Sequence, residues 1–313
     1  MLLRPPVMDP AAAYPKLTTL RTGLRAGDWA ACRAVLDSAE PVERTELIRS
    51  ASDTDGIEPL LRQVLDRDPE DSTAAAVLGS YLVRVGWEIR SSYRARHVSR
   101  KQFEAFHEKL RQAEHVLYPA TERRPDDPAL WVIRLTVARG LELGQDEARR
   151  RYDRLAEIDP QHLPGQLQLL QQLCPKWGGS WPAVWDFVGR VAGTAPFGAH
   201  NHMIIAEAHI EEATDDDWGS ARRRLSVAGV QAVIKEAANR SVWHPEFRRS
   251  HGWVLVLNTF AAAFSLGGDL RSAKSMFRML GDFGSEYPWG SLAPSPASTI
   301  WLHKLRTAFV RES

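Results

Sequence analysis

The chain has 313 residues, 44% of them hydrophobic and 25% charged, with 40 basic side chains against 39 acidic ones. This composition excludes an intrinsically disordered chain, and the near-zero balance disfavours a dedicated nucleic-acid binder, which carries a basic surplus. No run of about 18 apolar residues occurs, so no membrane-spanning helix and no membrane partner are expected.

In chain order, the opening segment with Pro5 and Pro6 lacks a continuous apolar stretch, so it is not read as a signal peptide. Residues 1–14 are expected to be disordered or extended. Gly27-Asp28-Trp29 reads as a helix–helix turn, with Cys32 in a small-residue slot and Leu36 in a large one. Over residues 72–89, Ala76, Val77, Tyr81, Val85 and Ile89 recur at helical steps and predict a helix with these residues inward. Residues 90–105 look like an insertion. Ser99 with Gln102 predicts a capped helix start, and Phe103, Phe106, Leu110, Ala113 and Leu117 form the apolar stripe that follows. Asp127 before Pro128 predicts another start, and Asp159-Pro160 predicts a stop.

Further on, Ser180 and Pro182 predict a capped helix after the segment Pro175-Lys176-Trp177-Gly178-Gly179. The acidic run 211–217 reads as a solvated loop, with Asp217 capping one helix that reaches Asn239. Residues 215–240 form a second insertion. The block 253–266 reads as a buried core helix. Leu257, Phe260, Ala261 and Phe264, the Gly268-Asp269 turn, then Ala273, Phe277 and Leu280 describe a helix pair with small residues facing large ones. No alternating β-branched run predicts a strand.

Pro125, Pro160 and Pro196 are spaced by 35 and 36 residues, close to the period of about 34 residues in tetratricopeptide (TPR) repeats, which end in a proline. With the pair at 257–280 and the second-helix positions Ala148, Tyr152 and Pro160, the chain resembles the TPR superfamily as degenerate repeats. Over roughly residues 55–215, Trp87-Glu88-Ile89-Arg90, the Phe103 stripe, Trp131 and Pro175-Lys176-Trp177-Gly178-Gly179-Ser180 resemble an uncharacterised bacterial family of TPR-like proteins with a PKWGGS signature. The resemblance implies an all-α, right-handed solenoid of about 14–15 helices in a single domain spanning residues 1–313. It implies no chemistry.

Five segments carry candidate function. Lys176, Trp177, Gly178, Gly179 and Ser180 form a loop whose cation and backbone N–H groups suit an anion, against the reading of a rigid turn. Trp177, Trp181 and Trp185 would make one aromatic ridge if helical. His202, Glu207 and His209 are candidate ligand contacts; the two histidines are seven residues apart, about 10.5 Å along a helix, too far for one metal ion. Arg90, Tyr93, Arg94, Arg96, Arg100 and Lys101 form a basic patch suited to an acidic partner segment. The acidic run has no alternating calcium-ligand pattern. Most of the 11 tryptophans are expected in the core.

Cys32 and Cys174 form neither a CxxC pair nor a metal-ligand spacing, which suits a reducing cytoplasm. No metal or cofactor is called for, and no nucleophile or dinucleotide motif is present. The leading expectation is therefore a cytoplasmic protein–protein interaction module that binds a peptide in a concave groove. The alternative is a small-molecule-binding protein or enzyme with its pocket between the Trp177 loop and residues 202–209.

Overall fold

The protein is described from a computed structural model in which residues 4–90, 98–215 and 218–310 are placed, with the backbone alone at 218–220. Among the described residues there are 17 α-helices and no strand. Two compact units divide the chain: residues 15–173, and residues 1–14 together with 174–313.

The first-named unit holds α1 (Lys16–Ala26), α2 (Trp29–Asp37), α3 (Pro41–Ala51), α4 (Glu58–Arg67), α5 (Ser72–Arg90), α6 (Arg100–Arg123), α7 (Pro128–Gly140), α8 (Gln145–Ile158) and α9 (Leu163–Leu173). Neighbours pack as pairs, α1 on α2, α5 on α6 and α7 on α8. Small residues set the approach: a Cβ added at Gly79 would lie 2.5 Å from a Leu117 methyl, and one at Gly23 would lie 2.7 Å from Cys32 Sγ. Ser99 and Gln102 form the expected capping box, and Asp127 caps α7. The inward stripe of α5 differs from expectation. Leu78, Leu82, Val83 and Gly86 are buried, while Tyr81, Val85 and Ile89 are half-buried. Five neighbours, α2, α3, α4, α6 and α7, pack on this helix, so its core face is broader than one stripe.

The first helices of the pairs do not leave a shared open face here. Helix α3 packs against α5, α7 and α9 together. Arg44 of α3 bonds Asp127 at the start of α7 (3.0 Å) and Thr73 at the start of α5 (3.0 Å). Thr45 bonds His162, just before α9, at 3.0 Å. The inner face of α5, α7 and α9 is thus covered by the chain's own α3.

The other unit holds α10 (Trp181–Thr194), α11 (Met203–Thr214), α12 (Trp218–Leu225), α13 (Ala228–Arg240), α14 (Trp253–Gly267), α15 (Leu270–Leu280), α16 (Trp289–Leu292) and α17 (Pro296–Ala308). The α14/α15 pair matches expectation: Leu257, Phe260, Ala261, Phe264, Ala273, Phe277 and Leu280 are all buried. Gly268 takes φ +86°, which a side chain resists, and Asp269 caps α15. The single helix expected to end at Asn239 is two, because Val227 is extended (ψ 127°) and starts α13 anew. These two helices and the short α16 bring the number above the 14–15 expected.

One other expectation is corrected. Among the tryptophans with described side chains, only Trp253 and Trp289 are buried; an indole is large enough to bury its body and leave an edge in water. Residues 4–14 are held by contacts within their own unit, with an extended bridge at Val7. Val7 N–H donates to Asp282 O (2.7 Å), Gly284 N–H donates to Val7 O (2.9 Å), and Tyr14 stacks on His251 at 4.0 Å.

Candidate functional site

The segment Cys174–Ser180 folds as a compact turn. Trp177 and Gly179 N–H both donate to Cys174 O, and Gly178 N–H donates to Pro175 O with Gly178 at φ +80°. Pro175–Trp177 is one 3-10 turn, and Ser180 caps α10. Trp177 therefore lies off α10, and no helical ridge of Trp177, Trp181 and Trp185 exists. The loop's cation is engaged by protein: Lys176 Nζ meets Glu211 Oε2 at 2.5 Å.

Glu211 and Glu207 stand one turn apart on α11, on the face turned inward; they are 9% and 5% exposed. This corrects the solvated-loop reading for the start of the acidic run; Asp216 and Asp217 lie outside the described residues. Tyr287, in the loop after α15, donates from its hydroxyl to Glu207 Oε1 at 2.6 Å. Next to it, Trp289 is fully buried and donates from Nε1 to Asn258 Oδ1 of α14 at 2.8 Å, which anchors the loop. Glu207 Oε2 is buried and has no hydrogen-bond partner.

Burial, then the Glu211 carboxylate, push the Glu207 carboxyl up to about 8. Burial, then Glu207 and Glu211, raise the Tyr287 phenol. The Cys174 thiol is buried, and that burial together with Glu211 pushes it up to about 12, so it is no nucleophile at neutral pH. The cluster is a carboxyl that holds its proton, a phenol that orients it, and an ammonium–carboxylate pair at the edge. Lys176 keeps 42% of its side chain exposed.

Of the expected ligand contacts, Lys176 and Glu207 converge, and His202 and His209 do not. His202 belongs to the turn before α11, and its Nε2 pairs with Pro196 O at 3.0 Å. His209 packs on Trp185 with ring centres 4.5 Å apart, and burial lowers it to about 4. Glu211 and Tyr287 were missed as site residues. The i,i+4 pair of acids on the apolar stretch Met203–Thr214 was a visible signal for Glu211; nothing near Tyr287 signalled its approach from 80 positions away. Among the described residues no group of three or more His, Cys, Asp or Glu gathers to hold a metal.

A second arrangement has the connectivity of a catalytic triad. Asp159 Oδ2 pairs with His162 Nδ1 at 3.1 Å, and His162 Nε2 with Thr45 Oγ1 at 3.0 Å. Thr45 and His162 are 1% and 0% exposed, and the Thr45 hydroxyl donates to Pro41 O. No substrate carbonyl reaches that oxygen, so the chain is a structural tie between α3 and α9.

In the basic patch, Arg90 lies 5.3 Å over Trp87 and 5.9 Å over Phe103. Arg100 pairs with Glu104 on the first turn of α6, where Lys101 is exposed. Tyr93, Arg94 and Arg96 lie outside the described residues. No described helix is long and apolar enough to cross a membrane.

Among the described residues these features define an all-helical protein of packed helix pairs with a buried carboxyl cluster. The chain matches no protein-family model, and no curated protein matches it either.

Proposed function

We propose that this chain binds a small polar molecule at Lys176, Glu207, Glu211 and Tyr287. One observation carries the reading: Glu207 Oε2 is a buried polar atom without a hydrogen-bond partner, next to groups that already partner each other. A buried carboxyl oxygen left alone costs about 1–3 kcal/mol, and a ligand there would remove that cost. A strongly raised carboxyl beside a defined charge partner is also where binding and acid–base sites concentrate. The helix pairs are read as TPR-like from the small-against-large contacts at Gly23–Cys32 and Gly79–Leu117, and two buried thiols outside any disulfide fit a cytoplasmic setting.

The test is a thermal-shift panel of small amines, carboxylates and polyols on the wild-type chain and Glu207→Gln. A stabilisation lost in the variant is expected. If no compound shifts the wild type, the reading fails.

The second reading is the protein–protein interaction module. Because α3 covers the inner face of α5, α7 and α9, a partner of that unit would dock elsewhere than in that groove. What favours this reading is exposed apolar surface: Phe197 at 62%, with Arg240 over its ring, and Phe309 at 83% beyond α17. Recovery of a stoichiometric protein from native cytosol, lost when Phe309 is changed to Ser, is its expected result.

A further inference from the structure

We infer that the ligand of the Glu207 site is a small primary amine, bound as its ammonium against Glu207 Oε2, with one proton leaving the carboxyl for each molecule bound. The inference rests on the small-molecule reading above and gives it a chemical class.

The charge count points to a cation. Among the described side chains the cluster brings together two carboxyl groups, Glu207 and Glu211, and the Lys176 ammonium. That ammonium is committed to Glu211 Oε2 at 2.5 Å. Among the described residues no cation forms an ion pair with Glu207, whose Oε1 accepts from the Tyr287 hydroxyl; Lys176 acts on it only from its place beside Glu211. The uncommitted oxygen, Oε2, belongs to a side chain that is 5% exposed. An ammonium placed there gives two cations and two carboxylates, satisfies the lone oxygen, and returns to Glu207 the counter-charge it lacks. A carboxylate or phosphate ligand would instead meet the Glu211 carboxylate, with Lys176 already engaged there.

In proton terms the step balances simply. The neutral carboxyl of Glu207 gives up its proton to solvent, the arriving ammonium keeps all three of its own, and a carboxylate–ammonium contact forms.

The groups that bear on Glu207 are few. Glu211 raises its proton affinity, and Lys176 and the Tyr287 hydroxyl lower it; the Cys174 thiol is nearby and neutral. Helix α14, packed on α11, carries no titratable residue. On α10, Asp186 and Arg190 pair with each other. The arginines of α12 and Lys235, Glu236 and Arg240 of α13 are exposed; His202, just before α11, bonds Pro196 O. The pH response of binding therefore reports Glu207.

Isothermal titration of the full chain with ethylamine, ethanolamine, acetate and glycerol, in buffers of different ionisation heats from pH 6 to 9, tests this. The expected result is amine binding that releases close to one proton at pH 6–7. Amine affinity should rise about tenfold per pH unit up to about pH 8 and level off above it. Glu207→Gln should reduce amine affinity at least tenfold, and Tyr287→Phe by a few-fold, with the helical circular dichroism of both unchanged. Binding of acetate or glycerol without amines, lost in Glu207→Gln, would overturn the amine assignment and leave the site reading standing. Amine affinity unchanged in both folded variants would also overturn it. Binding of none of the four probes by wild type would overturn both.

Discussion

Glu207 and His209 sit two residues apart on α11 and titrate in opposite senses for one reason: burial penalises whichever form is charged. The folded chain holds the Glu207 proton up to about pH 8, whereas an exposed carboxyl releases it near 4.5. Its contribution to stability is therefore complete below about pH 4.5 and lost as pH rises through about 8. Denaturant melts should show a fall on the order of 2–4 kcal/mol across that window, and Glu207→Gln should flatten it. For His209 the folded ring protonates only near 4 against 6.5 when exposed. Its contribution is present above pH 6.5 and lost as pH falls toward 4, and His209→Phe should flatten that acid limb. An unchanged acid limb in a folded His209→Phe chain would show that the ring is not as dry as its contact with Trp185 implies.

Between elements, stability depends on how closely two helices approach and on what ties them. A methyl at Gly79 would press into the Leu117 side chain, so Gly79→Ala should cost about 1–3 kcal/mol by overpacking α5 on α6, despite the better helix propensity of alanine. The tie between α3 and α9 is polar. Thr45→Val keeps the shape and leaves His162 Nε2 buried without its partner, which should cost about 1–3 kcal/mol in urea melts. A neutral result there would mean that apolar packing alone holds α3 against α9. The same element decides what the inner face of that unit offers to a partner: where repeat logic expects a peptide, Arg44 and Thr45 already bond to the starts of α5, α7 and α9.

For the whole molecule, the chain begins in one compact unit, builds residues 15–173 as another, and returns to the first at Cys174. Tyr14, stacked on His251 and accepting from Val254 N–H, and Val7, paired beside Phe283, close that return. Deleting residues 1–14 should therefore lower the melting temperature measured by the tryptophans of residues 174–313 and leave residues 15–173 helical and cooperative. An identical melting curve would show that these contacts carry no stability. The same non-contiguous order explains why the site was half legible. Lys176 lies in a motif with a proline and two glycines, and Glu207 and Glu211 are acids one helical turn apart, both local signals. Tyr287 arrives on a loop anchored by the contact of Trp289 with Asn258, and no local pattern encodes that approach.

What the amino-acid sequence determined by itself was local and periodic: the helices at Ser99, Asp127, Ser180 and Asp269, the turns at Gly27 and Gly268, and the small-against-large facing of the α14/α15 pair. Each follows from residues within a few positions of one another, where capping, φ preference and the 3.6-residue period act. Only the tertiary structure decided that α3 covers its neighbours, that Glu211 faces inward, and that one oxygen of Glu207 is left without a partner. Those outcomes depend on groups tens of residues apart meeting in a medium without water, where a single missing hydrogen bond or counter-charge outweighs any local preference.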